Sequence, residues 1–577
     1  MTDQPAPTAP PSRTAWILFG LILLYFLLSG LMNVNRQTNI DKLDTGRYLN
    51  AALAINDSGG VLTFPMQCIR FEYREDVQQP LYHLLLAPFA GRDLGFFVRA
   101  KLLTLLTGIA ALVVLFMLAR QTADRGPLVR DGAPSETGDR GNPSPWGIQP
   151  ADATALLACL FLALSCDFLD HSTFPACEPL FMVWLVLAWG FGLRWLKGEG
   201  GGWAAGAFAG LAYLTKGSGL FLLPIFIAGA LWKRYRLKTP ARLWGVLIAF
   251  LLVASPLILR NTLGYGSPLH DPYSACLWLD RWEDWDAVTS GIMPRPGLWS
   301  YLHTHSAGDI AGRIFAGCLG VFATLAGKTL ALGTVSVAGV VFGGLLLALA
   351  VVGLAADRDR LRRGWTALML AVFLVPTVWF FPVVPGSRFV LILAPILVLF
   401  AALGAMPLLR SGLARLRRSP EKWIAGLVAG ACAVLIVCRL ATPDLWRDPA
   451  QSMRLDPGFV ELRTWLESRL PESGAYAHGP SHGYNFSWNS PRRIRATALP
   501  PLRDGVELDS WMREQKLRYL VLDRETLQRR GYLFGVPDFR PGATTPLRIP
   551  RGWKVAWRVE QPGGAIVLEM GGGLTSP

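Results

Sequence analysis

Long apolar runs separated by short polar gaps fill most of the chain up to about residue 440, and beyond that the pattern turns polar. A run of about 20 apolar residues crosses the hydrocarbon of a bilayer as a helix. Such runs lie at 16–32, 98–118, 153–166, 180–196, 243–259, 330–354, 365–381, 389–408 and 423–440. The stretch 203–232 predicts two further helices with a break at Thr215-Lys216-Gly217-Ser218. The total is about eleven spans. Residues 310–325 are amphipathic and are expected to lie along the interface rather than cross it.

The polar tail has its own periodicity. Residues 459–470 have helical spacing, while 519–522 and 565–568 are short strand-like runs. Gln561-Pro562-Gly563-Gly564 reads as a hairpin turn before the last strand. The expected fold class is an all-α polytopic membrane protein with a small C-terminal extramembrane α/β domain. The expected boundaries are a tail at 1–13, a membrane domain at 14–441 and the α/β domain at 442–577. Within the membrane domain, outward loops cover 34–96 and 260–328, and a flexible Gly/Pro/Arg-rich insertion covers 120–150.

Composition agrees: only 17% of the 577 residues are charged, and 52% are hydrophobic. Soluble domains carry about a quarter charged residues. The net charge of +15 raises nucleic acid as a partner, but the basic residues sit in gaps between apolar runs. There they act as topology markers. Lys233 to Lys238, Arg358 to Arg363, and Arg410, Arg415, Arg417, Arg418 and Lys422 fall on one side of the membrane under this span count. That side is expected to be cytoplasmic, with the N-terminus. The long loops and the C-terminal domain then face outward, from what is read as a bacterial inner membrane. The eight cysteines form no CxxC pair or zinc spacing, and no cleavable signal precedes the first span.

Several charged residues fall at outward span ends. Asp44 precedes a short amphipathic helix, where it is either an N-cap or a general base at headgroup depth. Glu178 stands at the outer end of a span, where a carboxylate is costly. Lys216 sits at the helix-pair break, Arg260-Asn261 ends one span and Arg388 opens another. Snorkelling is the ordinary role of such cations. Carboxylates and cations converging on one face suit transfer from an anionic lipid. The cations hold a phosphate, and a carboxylate takes the acceptor proton.

The ordered series of motifs resembles the GT-C superfamily of lipid-carrier glycosyltransferases. It is most similar to the branch of the protein O-mannosyltransferases and aminoarabinose lipid A transferases. Asp44-Thr45-Gly46-Arg47-Tyr48 is similar to the first-loop motif, and Pro80-Leu81-Tyr82 to "PPLY". Ala176-Cys177-Glu178-Pro179-Leu180 and Gly210 to Lys216 match later landmarks. Arg260-Asn261 with Gly264, Gly266, Ser267 and Pro268 resembles "RN…G.P", and Arg388 the helix-opening arginine. The chain departs from the family at Thr45, often a second acid, and at Gln78-Gln79, where a lysine is frequent.

The resemblance implies an inverting sugar transfer from a polyprenyl-phosphate carrier to the hydroxyl of a glycan, lipid or protein, at the extracytoplasmic face among membrane lipids. It implies Asp44 as a base or site organiser, with Arg47, Lys216 and Arg388 near the carrier phosphate. Glu178 is expected to be catalytic with Asp44, and Tyr48, Arg260 and Asn261 to join Arg47, Lys216 and Arg388 as donor-phosphate and substrate contacts. No cofactor is required by this reading, and a divalent metal stays open without assigned ligands. The alternative is a transporter or flippase for lipid-linked sugars. That reading expects internal repeats and charges near the midplane, whereas the charges here lie at span ends.

Overall fold

A computed structural model describes residues 10–37, 44–75, 77–124, 147–236, 243–282, 284–289, 293–331, 336–414, 420–447, 457–479, 488–500, 502–523, 526–527, 530–535, 547–558 and 565–571. The tail 1–9, most of the insertion, Lys238, Arg415, Arg417, Arg418 and the turn expected at 561–564 lie outside the described residues.

Helix α1 (Arg13–Arg36) starts at Ser12, whose hydroxyl accepts from Ala15 N. The first loop then folds into three short helices, α2 (Thr45–Asp57), α3 (Phe64–Ile69) and α4 (Pro80–Leu86). Next come α5 (Leu94–Asp124), α6 (Pro150–Ala163), α7 (Cys166–Ser172), α8 (Glu178–Lys197), α9 (Gly202–Thr215), α10 (Leu222–Arg236) and α11 (Leu243–Tyr265). The second long loop carries α12 (Asp284–Thr289) and α13 (Leu298–Thr304), followed by α14 (Ala307–Thr324). The bundle closes with α15 (Val337–Ala356), α16 (Arg360–Phe380), α17 (Arg388–Leu391), α18 (Ala394–Ala414) and α19 (Pro420–Leu440).

Among the described residues, nine helices are long and apolar enough to cross a membrane. Eight coincide with expected spans. Three other expected spans are α6, α9 and α10, with 14, 14 and 15 residues. At 1.5 Å per residue a 14-residue helix reaches about 21 Å, short of the roughly 30 Å hydrocarbon core. These helices contribute to the central apolar core, α6 with twelve of its fourteen residues buried. The ninth long helix is α14 with the π-turn Leu325–Thr329. Arg313 near its start donates to Trp379 O at 2.9 Å, and Thr329 at its end donates to Asp167, which also accepts from Ser387. Trp379 and Ser387 bracket the turn between α16 and α17. Both ends of α14 therefore meet the same end of the bundle, and the helix lies across it as the amphipathic pattern predicts.

Close helix contact relies on small residues, as expected where lipid supplies no hydrophobic drive between helices. A side chain at Gly353 would fall 2.0 Å from Phe400 O, and one at Gly404 would fall 2.2 Å from Leu349 O. These contacts join α15 to α18.

The bundle has two polar ends. One contains Arg120–Asp152 (2.7 Å), Lys197–Asp359 (2.6 Å) and Arg362–Asp357 (2.6 Å). Arg362 also reaches Thr122 O, and Lys233 reaches Trp195 O. The basic gaps after α10 and α15 thus share an end. The other end collects the outward span-end residues singled out in the sequence.

Among the described residues, the C-terminal region forms a five-stranded sheet in the order β2-β1-β3-β5-β4. Its strands are β1 (Ala475–His478), β2 (Arg495–Ala498), β3 (Tyr519–Leu522), β4 (Lys554–Arg558) and β5 (Ile566–Glu569). Strand β1 is parallel to its neighbours β2 and β3, while β5 is antiparallel to β3 and β4. Side chains alternate between faces. Leu520 and Leu522 pack with Leu508 and Met512 of α21 (Gly505–Glu514). Tyr519 and Val521 pack with Leu462 and Leu466 of α20 (Pro457–Arg469).

Candidate functional site

The site starts at the N-terminus of α2. Asp44 occupies the N-cap position, but its side chain makes no capping hydrogen bond. One carboxylate oxygen instead accepts from Arg388 Nη1 at 2.8 Å and from Gln78 Nε2 at 3.0 Å. The N-cap reading of Asp44 therefore gives way to a tertiary one. Arg388 and Asp44 are 344 positions apart in sequence, so only helix packing brings them together.

A second pair stands beside the first. Lys216 has an extended backbone (φ −154°, ψ 135°) between α9 and a 3₁₀ turn, which turns its chain out of the helix. Its Nζ lies 2.6 Å from Oε1 of Glu178, the first residue of α8. Glu178 is only 4% exposed, and a buried carboxylate stays charged only when paired. The Phe389 ring links the two pairs: Lys216 Nζ lies 5.7 Å and Arg388 Cζ 5.1 Å from its centre. Arg47, one helical turn beyond Asp44, is 3.6 Å from Glu75.

Tyr48, buried on the inner face of α2, donates to Gln78 Oε1 at 3.1 Å and to Cys177 Sγ at 3.2 Å. Its ring meets Tyr82 edge-on at 5.0 Å. Burial pushes the Tyr48 phenol well above its ordinary pKa, so it is a neutral donor. Gln78 thus bridges Tyr48 and Asp44, and the position that departs from the family pattern is part of the site.

Arg260 and Asn261 reach this assembly through the loop. Arg260 donates to Asn261 Oδ1 from two nitrogens (3.0 and 2.6 Å) and to Glu75 O. Its guanidinium lies over Tyr73 and Tyr265, each within 6 Å of ring centre. Glu75 in turn accepts from the backbone N–H groups of Val77 and Gln78 at 3.1 Å. These bonds fix the segment that presents Gln78.

Sequence reasoning missed Glu75, Gln78, Asp167, His171 and Ser387. Asp167 accepts from Ser387, the residue before Arg388, at 2.8 Å and from Thr329 at 3.1 Å, with His171 at 3.4 Å. Burial opposes ionisation of Asp167, but the bonds from His171, Ser387 and Thr329 outweigh it and hold its carboxyl low. Burial also opposes the charged form of His171. Asp167 and Glu178 overcome it and raise the imidazole pKa. A signal was present: Asp167, Asp170 and His171 lie between two apolar runs, where ionisable residues have functional weight. Among the described residues, no three His, Cys, Asp or Glu side chains converge to hold a metal ion.

Residues 151–259 match the family model "Dolichyl-phosphate-mannose-protein mannosyltransferase". This segment holds Asp167, His171, Glu178 and Lys216. No curated protein matches the sequence. Among solved structures, ArnT from Cupriavidus metallidurans bound to undecaprenyl phosphate is similar, with a TM-score of 0.53 and 12% identity. That match covers 98% of this chain and 100% of the other. The apo state of the same protein gives 0.52 and 12%, covering 96% and 98%. At this identity the structural likeness establishes the fold. With nine helices among its described residues long and apolar enough to cross a membrane, the chain has an ArnT-like membrane fold, and its segment 151–259 is similar to the protein mannosyltransferase family.

Proposed function

We propose that this chain transfers a sugar from a polyprenyl-phosphate carrier to an acceptor hydroxyl, with inversion, at the end of the bundle remote from its basic gaps. The observation that carries this reading is the meeting of Asp44, Arg388, Lys216 and Glu178 at one end of an apolar bundle. Two cations beside one aromatic ring suit a lipid-linked phosphate, and a partly exposed carboxylate next to them suits an acceptor proton. The undecaprenyl phosphate bound to the similar ArnT structure supports a donor of that class.

In the proposed step the acceptor oxygen forms a bond to the anomeric carbon as its proton passes to Asp44. The bond from that carbon to the phosphate oxygen breaks, and polyprenyl phosphate leaves with the electron pair. Arg388, Lys216 and Arg47 stabilise the departing charge, each charge-assisted contact contributing about 1.5–3 kcal/mol. Glu178 holds Lys216 in place, Tyr48 orients Gln78 against Asp44, and Arg260 with Asn261 fixes the loop. The basic gaps assign their end to the cytoplasm. The N-terminus then lies inside, the 442–577 domain lies outside, and a bacterial inner membrane is the setting.

The test incubates purified protein with a panel of polyprenyl-phosphate sugars and follows carrier release. Asp44→Asn is expected to lose about 10²–10⁴-fold in rate while inserting normally, the range for removal of a general base. Full activity in that variant removes Asp44 from the mechanism.

A further inference from the structure

The loop between α11 and α14 carries three near-parallel aromatic rings grouped together. Trp282 and Trp285 are parallel to within 3° with centroids 6.0 Å apart, and Tyr273 lies 5.0 Å and 26° from Trp285 and 6.0 Å and 27° from Trp282. All three are half-buried, packed against a small apolar cluster that includes Leu279, Val288 and Val383.

This group is fixed to the site. Arg313 donates to the carbonyls of Leu277, Leu279 and Trp379 at 3.2, 2.8 and 2.9 Å, and Trp379 Nε1 donates to Leu277 O at 2.6 Å. The loop is thereby held on the end of α16. Phe380 packs against the same apolar cluster and meets Phe389 edge-on at 5.0 Å. Phe389 is the ring that carries Lys216 and Arg388. The three rings and Phe380 therefore share one apolar cluster, and Phe380 meets the ring beside the two cations. Burial raises the Tyr273 phenol to about 12, so its hydroxyl stays neutral. Tryptophans that anchor a protein in the headgroup layer need only an apolar body and a polar edge at that depth. A near-parallel grouping next to a charged cluster is not required for anchoring.

We propose that Tyr273, Trp282 and Trp285 form a platform for the apolar face of a pyranose ring, holding a substrate sugar beside the Asp44–Arg388 pair. One face of a pyranose presents C–H groups that pack on an aromatic surface, while its hydroxyls remain at the rim. The inference rests on the transferase reading. Donor and acceptor both offer such a ring, and the experiment separates them.

The full chain in detergent is assayed for binding of a polyprenyl phosphate with and without its sugar, and for acceptor KM in turnover. If the donor sugar is stacked, Trp285→Ala abolishes the preference for the sugar-bearing carrier, a loss of roughly fivefold to tenfold. Affinity for the bare carrier then stays unchanged. If the acceptor sugar is stacked, acceptor KM rises by a similar factor while kcat and donor binding hold. Trp285→Phe, which keeps a ring, restores most of either effect. Equal weakening toward both carriers, or no change in either preference or acceptor KM, overturns the platform. Wild-type protein that binds neither carrier overturns the transferase reading itself, a separate outcome.

Discussion

At one end of the bundle Arg362 and Asp357 pair at 2.6 Å with side chains only 3% and 1% exposed. At the other, Arg388 and Asp44 pair at 2.8 Å with side chains 33% and 29% exposed. The chemistry is the same and the surroundings differ. The third nitrogen of Arg362 donates to Thr122 O, and Arg120 and Asp152 beside it are buried and tied to the start of α1 through Ser12. Such pairs act as struts: both charges are dry, and neither side chain has much surface to offer a ligand. The Asp44–Arg388 pair retains accessible surface and stands beside a second pair of like kind. A buried pair keeps helices in register, whereas a half-exposed pair can exchange its partner for a phosphate or a proton.

Mutations at the two ends sharpen that contrast. After the loss expected for Asp44→Asn, the largest effect on turnover belongs to Arg388→Ala. One charge-assisted contact of about 1.5–3 kcal/mol corresponds to roughly 10- to 150-fold in kcat/KM. Carrier-release kinetics measure it, and a change below twofold separates Arg388 from the phosphate. At the closed end, Asp357→Asn leaves the Arg362 charge buried without its partner and is expected to destabilise the bundle by about 3–5 kcal/mol. Thermal unfolding in detergent reports the loss, and the protein that remains folded should keep its kcat. A changed kcat with unchanged stability reverses the assignment of the two ends.

The smallest effect concerns pH and the loop beside the open end. His83 is fully buried in α4, accepts or donates through Nδ1 to the Tyr73 hydroxyl at 2.7 Å, and is held at about 3 by burial and then by Arg47 and Arg260. The unfolded imidazole takes up a proton near pH 6.5, which the folded one refuses until about 3. The unfolded state therefore binds more protons across that window. Stability is full above about 6.5 and falls as the solution is acidified, by about 2 kcal/mol between pH 6.5 and 5. His83→Asn should flatten this slope in unfolding midpoints measured against pH. An unchanged slope assigns the acid sensitivity elsewhere.

The local pattern of the sequence carried much of the fold. The break at Thr215 to Ser218 was legible because a lysine, a glycine and two hydroxyl residues interrupt an apolar run, and the structure bends there at Lys216. The strand at 519–522 was legible from its apolar run, and 565–568 differs from β5 by one residue. Strands β1, β2 and β4 were missed because Arg495–Ala498 and Lys554–Arg558 alternate too weakly to stand out, and because their order is set by pairing. In the site, Asp44, Glu178, Lys216 and Arg388 were visible as charges at span ends. Gln78 was visible only as a departure from a family pattern, Asp167 only as an ionisable residue between two apolar runs, and Ser387 not at all. Those residues matter through bonds made between segments far apart in the chain.

By itself, the sequence determined that this chain lives in a bilayer, roughly where its helices run and which gaps carry positive charge. Each of those follows from the free energy of moving short stretches of side chain out of water, which is a local quantity. Only the tertiary structure decided that Asp44 faces Arg388 rather than capping its own helix, that α14 lies across the bundle, and that the tryptophan-bearing loop is fixed on the end of α16. Those outcomes depend on which helices pack together, and contacts between distant segments leave no periodic trace along the chain.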